Sequence, residues 1–188
     1  MALPKIDYHM ELIARLREGD PAAQFEAYEA YKVAMYNTAL RIVQDVAEAE
    51  DVLQESFLAA FTKIDKFTGQ STFGAWLKSI VVNRGINALN KLKASLSLKE
   101  QMAQEAASAS TDVQSESDET RIWNVSQIHK AIAQLPDGYR VVLSLYLFEG
   151  YDHREIAEIL GITEGGSKSQ FNRAKSKLRD LLTALSYV

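Results

Sequence analysis

The chain has 188 residues and a formal net charge of −4, from 21 Lys and Arg against 25 Asp and Glu; that length suits one ordinary domain or two small ones. Hydrophobic content of 47 % and charged content of 24 % exclude a disordered chain, and the lack of cysteine excludes a disulfide framework or a thiolate metal site. No apolar run is long enough to span a bilayer, and "MALPKIDYHMEL" lacks the basic start and apolar stretch of a signal peptide, so a cytoplasmic protein without membrane insertion is expected.

Few prolines and glycines among abundant Ala, Leu, Glu, Lys and Gln favour helix. A first helix fits 7–18 and stops at "GDP", where Asp20 can cap and Pro21 can open a second helix over 21–43. A third fits 46–65, with Val52, Leu53, Phe57, Ala60, Phe61 and Ile64 on one face. Opposite them Asp51, Gln54, Glu55 and Leu58 share a stripe, so Leu58 is an apolar residue ringed by polar ones, as at the centre of a small docking patch. "KFTGQS" breaks the pattern, and Ser71 or Thr72 caps a fourth helix through 93. Phe73, Trp76, Leu77, Ile80 and Val81 give it an apolar stripe, which fades beyond Val81 while Arg84 and Lys91 continue its line.

Residues 94–120, beginning "ASLSLKEQMAQEAASAS", are rich in Ser, Ala, Gln and acids and lack aromatic residues. Such a stretch cannot bury enough apolar surface to offset chain entropy and reads as a flexible linker, compatible with partial helix. The acidity of the chain concentrates there: residues 94–126 carry 2 cations against 6 acids, whereas 1–93 carry 11 against 12 and 127–188 carry 8 against 7. Beyond it, helices fit 121–134, 137–148, 152–160 and 164–185, with Pro136 starting one and Gly150 ending it. No segment alternates with period two, so the fold is expected to be all-α: two small helical domains, 1–93 and 121–188, joined by the acidic linker.

The stretch "EIAEILGITEGGSKSQFNRAKSKLRD" carries the chemistry. Ile156, Ala157 and Leu160 face inward on a short helix, Gly161 suits a left-handed turn, and Thr163 can cap the next helix. In that second helix Phe171, Ala174, Leu178, Leu181, Leu182 and Leu185 fall on one face, with Lys168, Ser169, Asn172, Arg173, Ser176, Lys177 and Arg179 on the other. A packed scaffold helix leading into a helix with a basic, hydrogen-bonding outer face is the geometry that enters a DNA major groove. Cations neutralise phosphates there, while Lys, Arg, Asn and Ser reach base edges. Gly165 and Gly166 would let a phosphate approach the positive helix start closely.

Residues 135–182, "LPDGYRVVLSLYLFEGYDHREIAEILGITEGGSKSQFNRAKSKLRDLL", resemble region 4 of bacterial RNA-polymerase sigma factors of the extracytoplasmic-function type. Residues 49–91, "AEDVLQESFLAAFTKIDKFTGQSTFGAWLKSIVVNRGINALNK", resemble region 2 of the same family, in family order. The resemblance implies a region 2 domain that docks on the clamp helices of the polymerase largest subunit, through Asp51, Gln54, Glu55 and Leu58. It implies that this domain melts the −10 element and holds an unstacked base near the loop from Phe67 to Ser71. Flipping a base out costs a few kcal/mol, to be met by Phe67, Gln70, Ser71, Asn83 and Asn87 with Arg84 and Lys91 for charge; Phe73 and Trp76 are expected in the core. The region 4 domain would read the −35 element with Lys168, Ser169, Gln170, Asn172 and Arg173, place Lys177 on phosphate, and pack on the β-flap. Ser167 and Gly166 depart from the usual Thr-Val pair, and Gln170 stands where Arg is frequent. An anti-sigma partner is implied, and acids such as Glu116, Asp118 and Glu119 are expected to thread the basic RNA exit path.

No cofactor or metal is expected. An enzyme finds little support: His9, His129 and His153 are far apart, and "DHRE" at 152–155 reads as a solvated helix start capped by Asp152. No phosphate-binding loop or dinucleotide glycine pattern occurs. The rival reading is an autonomous helix-turn-helix regulator, which leaves the four-helix N-terminal part without a task.

Overall fold

The computed structural model describes residues 5–103 and 125–185. Two compact units divide between Asn90 and Lys91, and among the described residues all regular structure is helical. The N-terminal unit contains α1 (Lys5–Arg17), α2 (Pro21–Val43), α3 (Val46–Thr62), a 3-10 turn (Ile64–Lys66) and α4, which begins at Phe73. Asp20 caps α2 by accepting from the Ala22 amide at 2.8 Å, and Pro21 takes the first helical position, where its missing N–H costs nothing. Arg15 donates to Asp20 at 2.8 Å and to Glu26 at 3.0 Å, tying α1 to α2. The Arg15 hydrogen bond and the Ala22 amide hold the Asp20 carboxyl below its ordinary pKa. Asp45 caps α3 through the Glu48 amide at 2.9 Å.

Apolar stripes of all four helices meet in the core: Leu12 and Leu16 from α1, Ala27, Met35 and Ile42 from α2, Val52, Leu53 and Phe57 from α3, and Leu77, Val81 and Val82 from α4. Small residues allow close approach where α4 begins. A Cβ on Gly74 would lie 2.8 Å from Tyr31 Cε1, so the ring of α2 occupies the space that a side chain would need.

Helix α4 does not stop at 93, where the linker was expected to start, but continues to Ala103. "ASLSLKEQMA" holds neither glycine nor proline and is rich in strong helix formers, so nothing in its backbone chemistry halts the helix. The rest of the expected linker, with Glu116, Asp118 and Glu119, and residues 121–124 of the expected fifth helix lie outside the described residues.

The C-terminal unit contains α5 (Val125–Ala133), α6 (Asp137–Leu147), α7 (His153–Leu160) and α8 (Glu164–Leu185). Ile132, Leu135, Leu143 and Ala174 form a buried cluster against which Ile128, Tyr139, Phe171, Leu178 and Leu181 pack. The Arg140 side chain, only 4 % exposed, donates to the Leu135 carbonyl at 3.3 Å and pairs with Asp137 at 2.6 Å. Burial works against the charged Asp137 carboxyl, but the hydrogen bonds and charges of Arg140 and Lys93 together outweigh it, and the carboxyl stays below its ordinary pKa. A capping box opens α7: Asp152 accepts from the Arg154 and Glu155 amides at 2.8 Å, and Glu155 accepts from the Asp152 amide at 2.8 Å. Gly161, at φ 64°, ends α7 in the left-handed conformation that a residue with a Cβ adopts only at a cost.

Candidate nucleic-acid interface

In the C-terminal unit, α7, the Gly161 turn and α8 form a helix-turn-helix. Ile156 and Ala157 anchor α7, and Ala174, Leu178 and Leu182 anchor α8, so the opposite face of α8 is presented outward. Lys168, Ser169, Asn172, Arg173 and Lys177 are exposed on it. Lys168 pairs with Glu164 one turn back at 2.6 Å; that hydrogen bond raises the Lys168 pKa and lowers the Glu164 pKa, so both are charged near neutrality. Gln170 differs from its neighbours. It is half-buried, and a Cβ on Gly138 would come within 3.4 Å of its Oε1, so its amide lies against the start of α6.

The two glycines separate in role. Thr163 caps α8 by accepting from the Gly166 amide at 3.0 Å, and a Cβ on Gly166 would crowd that oxygen at 3.1 Å. A Cβ on Gly165 would meet nothing within 4 Å. The packing of the unit itself therefore does not demand a glycine at 165, and the first turn of α8 is left open on its outer side.

In the N-terminal unit the loop between the 3-10 turn and α4 is braced from beneath. Phe67 is 7 % exposed, with its ring 6.0 Å from Phe73 and 5.4 Å from Trp76. Tyr31 of α2 packs edge-on against Phe73 at 5.5 Å. The Phe67 side chain, expected among the base contacts, is thus held in the core, because the aromatic cluster that carries the loop includes it. Phe73 packs there as expected, and Trp76, half-buried, leans on both rings. Arg17 of α1 donates to the Phe67 carbonyl at 2.8 Å and fixes the start of the loop. Gly69 turns the chain at φ 77°, Gln70 and Ser71 are exposed, and Thr72, not Ser71, caps α4 through the Ala75 amide at 3.2 Å.

Along α4, Asn83, Asn87 and Lys91 are exposed. The Asn83 amide donates to the Ser79 carbonyl at 2.8 Å, which leaves its side-chain oxygen free to face outward. Arg84 pairs with Glu55 of α3, so the structure joins two residues that the sequence pattern assigns to different surfaces. Asp51 and Gln54 are exposed beside Glu55, and Leu58 is 66 % exposed among them.

Two features escaped the sequence. Arg17 lies 50 residues from the carbonyl it binds, and no local pattern marks it. His153, expected in a solvated cluster, is half-buried and makes a hydrogen bond to the fully buried Ser167; the only sequence sign was the departure from family pattern at 167. Among the described residues no cluster of His, Cys, Asp and Glu could hold a metal ion, and no helix is long and apolar enough to cross a membrane.

Comparison with known proteins agrees with both units. Residues 27–95 match the model for Sigma-70 region 2, and residues 126–178 match that for Sigma-70, region 4. The chain is 30 % identical over 179 residues to the ECF RNA polymerase sigma factor SigW of Bacillus subtilis, covering 92 % of this chain and 96 % of that protein. It is 29 % identical to the RNA polymerase sigma-H factor of Pseudomonas aeruginosa, covering 93 % and 94 %. Its fold resembles that of the sigma factor RpoE of Bartonella quintana, solved in complex with the anti-sigma factor NepR. That likeness has a TM-score of 0.58 at 23 % identity and covers 84 % of this chain and 95 % of that one. With an outward basic helix in one unit, a braced polar loop in the other, and 30 % identity to SigW over nearly the full length of both chains, the chain belongs to the extracytoplasmic-function RNA polymerase sigma factors.

Proposed function

We propose that this sigma factor binds core RNA polymerase and directs promoter-specific initiation, with one DNA element assigned to each unit. The observation that carries the reading is the pairing, in one chain, of a region 4 helix-turn-helix that presents Lys168, Ser169, Asn172 and Arg173 with a region 2 bundle that presents Gln70, Ser71, Asn83 and Asn87. In the C-terminal module, assigned to 121–188, Arg173 and Asn172 meet base edges of the −35 duplex and Lys177 neutralises phosphate. In the N-terminal module, assigned to 1–93, the Gln70–Ser71 loop and the amides of Asn83 and Asn87 hydrogen-bond an extruded base of the −10 strand, with Lys91 on phosphate. Phe67 supports the loop rather than stacking on the base, and Gln170 is a weaker candidate reader than its neighbours.

Asp51, Gln54, Glu55 and Leu58 are assigned to the clamp helices, with Leu58 as the apolar anchor inside a polar rim. The β-flap is the expected partner of the C-terminal module. The complex of the Bartonella quintana relative with its anti-sigma factor supports an anti-sigma partner here. Catalysis belongs to the polymerase, and the chain acts in the cytoplasm. Run-off transcription with core polymerase and a library of upstream sequences tests the reading. Transcripts should enrich two separated elements; tight duplex binding by the free chain, with no transcripts when polymerase is supplied, would favour the autonomous regulator instead.

A further inference from the structure

The first turn of α8 violates a local rule. Gly165 and Gly166 each weaken a helix by about 1 kcal/mol relative to alanine, and only Ser167 separates them from Lys168 and Ser169, the first outward residues of the reading helix. A fraying first turn would scatter those side chains over several positions. Beneath it lies a device that opposes fraying. Ser167, fully buried, has its hydroxyl 3.0 Å from Nδ1 of His153, the first residue of α7. The imidazole is itself held: it stacks on Tyr146 of α6 at 4.7 Å with 20° between the planes, and meets Phe171 of α8 edge-on at 5.4 Å. Tyr146 and Phe171 close the wedge at 4.6 Å. A ring fixed on two sides aims its Nδ1 in one direction, so the bond to Ser167 carries orientation as well as energy.

We infer that His153 and Ser167 are positioning residues, a polar latch that pins the first turn of the reading helix to the scaffold helix and so sets where Lys168 and Ser169 meet the duplex. The inference rests on the reading of α8 as the −35 reader. Neither residue touches DNA in this account; both act through the placement of the residues that do. The buried hydroxyl at position 167 thus has a partner, and that partner is held by the rings of α6 and α8 as well as by its own helix.

The test uses the full chain loaded at saturation on core polymerase, and two promoters with the same −10 element, one with a selected −35 element and one with it scrambled. The readout is the ratio of open complexes formed on the two, with thermal unfolding of each variant measured alongside. His153→Phe keeps the aromatic wedge and removes the bond; Ser167→Ala removes the hydroxyl. Each is expected to lower the ratio by about threefold to tenfold, and the double variant by no more than the worse single, because one interaction is lost in all three. Ser167→Thr, which keeps a hydroxyl opposite the ring, should stay within about twofold of the parent. Unchanged ratios in folded His153→Phe and Ser167→Ala, or losses that multiply in the double variant, overturn the latch. A ratio near one for the unaltered chain removes the −35 reading of α8 itself and the latch with it, an outcome visible before any variant is compared.

Discussion

The two candidate DNA surfaces are built by opposite means. The α8 surface is one helix face, and its residues stand outward because Ala174, Leu178 and Leu182 on the same helix pack inward. The surface proposed for the −10 strand draws on three segments: Arg17 of α1 holds the loop, Phe67, Phe73 and Trp76 brace it, and α4 supplies the asparagines. The first is rich in cations, the second in amides and hydroxyls, and Arg84 within it is already engaged by Glu55. Duplex DNA offers a regular lattice of phosphates that a preformed helix can meet with charge. A single extruded base offers a flat edge that must be held by hydrogen bonds from a loop whose own position is fixed. Under the proposed roles, the difference teaches that reading duplex is a matter of display, and holding a strand a matter of support.

The largest expected effects test each half of that contrast. Arg173→Ala should reduce −35-dependent initiation by about 1–3 kcal/mol in apparent binding and relax sequence preference, whereas Lys177→Ala should weaken binding evenly across sequences and reduce the salt slope by about one. Open-complex assays over a salt series separate the two; equal behaviour would mean that α8 displays charge without reading bases. Gly74→Ala is the counterpart for support. Its Cβ would meet the Tyr31 ring at 2.8 Å, so the ring that packs on Phe73 or the start of α4 must shift; denaturant unfolding of the protein should show about 1–3 kcal/mol of lost stability, and promoter melting should fall with it. Retained melting with a displaced ring would show that the loop does not depend on its aromatic floor.

A smaller effect sharpens the comparison at the start of α8. Gly165→Ala should raise helix stability by up to about 1 kcal/mol, since the added methyl meets nothing within 4 Å, yet it should weaken −35 binding if a phosphate approaches there. Opposite signs in thermal unfolding and in DNA binding are the predicted signature; a gain in both would leave the glycine unexplained. The smallest expected effect concerns acid. The Asp137 carboxyl lies below its ordinary pKa because Arg140 and Lys93 together outweigh burial, so its contribution is present above the unfolded value of about 3.9 and lost as pH falls through the lower folded value. Asp137→Asn should lower stability at neutral pH and flatten its decline in acid, measured by unfolding at pH 7 and pH 3.

How much of this the sequence disclosed runs along the same division. The α8 face, the caps at Asp20, Asp152 and Thr163 and the left-handed Gly161 were all legible, because each depends on residues within a few positions of one another. The arrest of α4 was misplaced, since a composition suited to a tether is also suited to helix. Phe67 reads as a base contact in the sequence because a loop aromatic carries no local mark of burial; Phe73, Trp76 and Tyr31 had to be brought together first. Arg17 with the Phe67 carbonyl, Arg84 with Glu55, and His153 with Ser167 are tertiary pairs, and no periodicity encodes them.

The most direct test of two separate surfaces serving one promoter is initiation by core polymerase with this chain on three templates: intact, −35 scrambled and −10 scrambled. Arg173→Ala should cost initiation on the intact and −10-scrambled templates and nothing further on the −35-scrambled one, while Asn83→Ala should show the reverse pattern. Equal losses from both substitutions on every template would contradict the account.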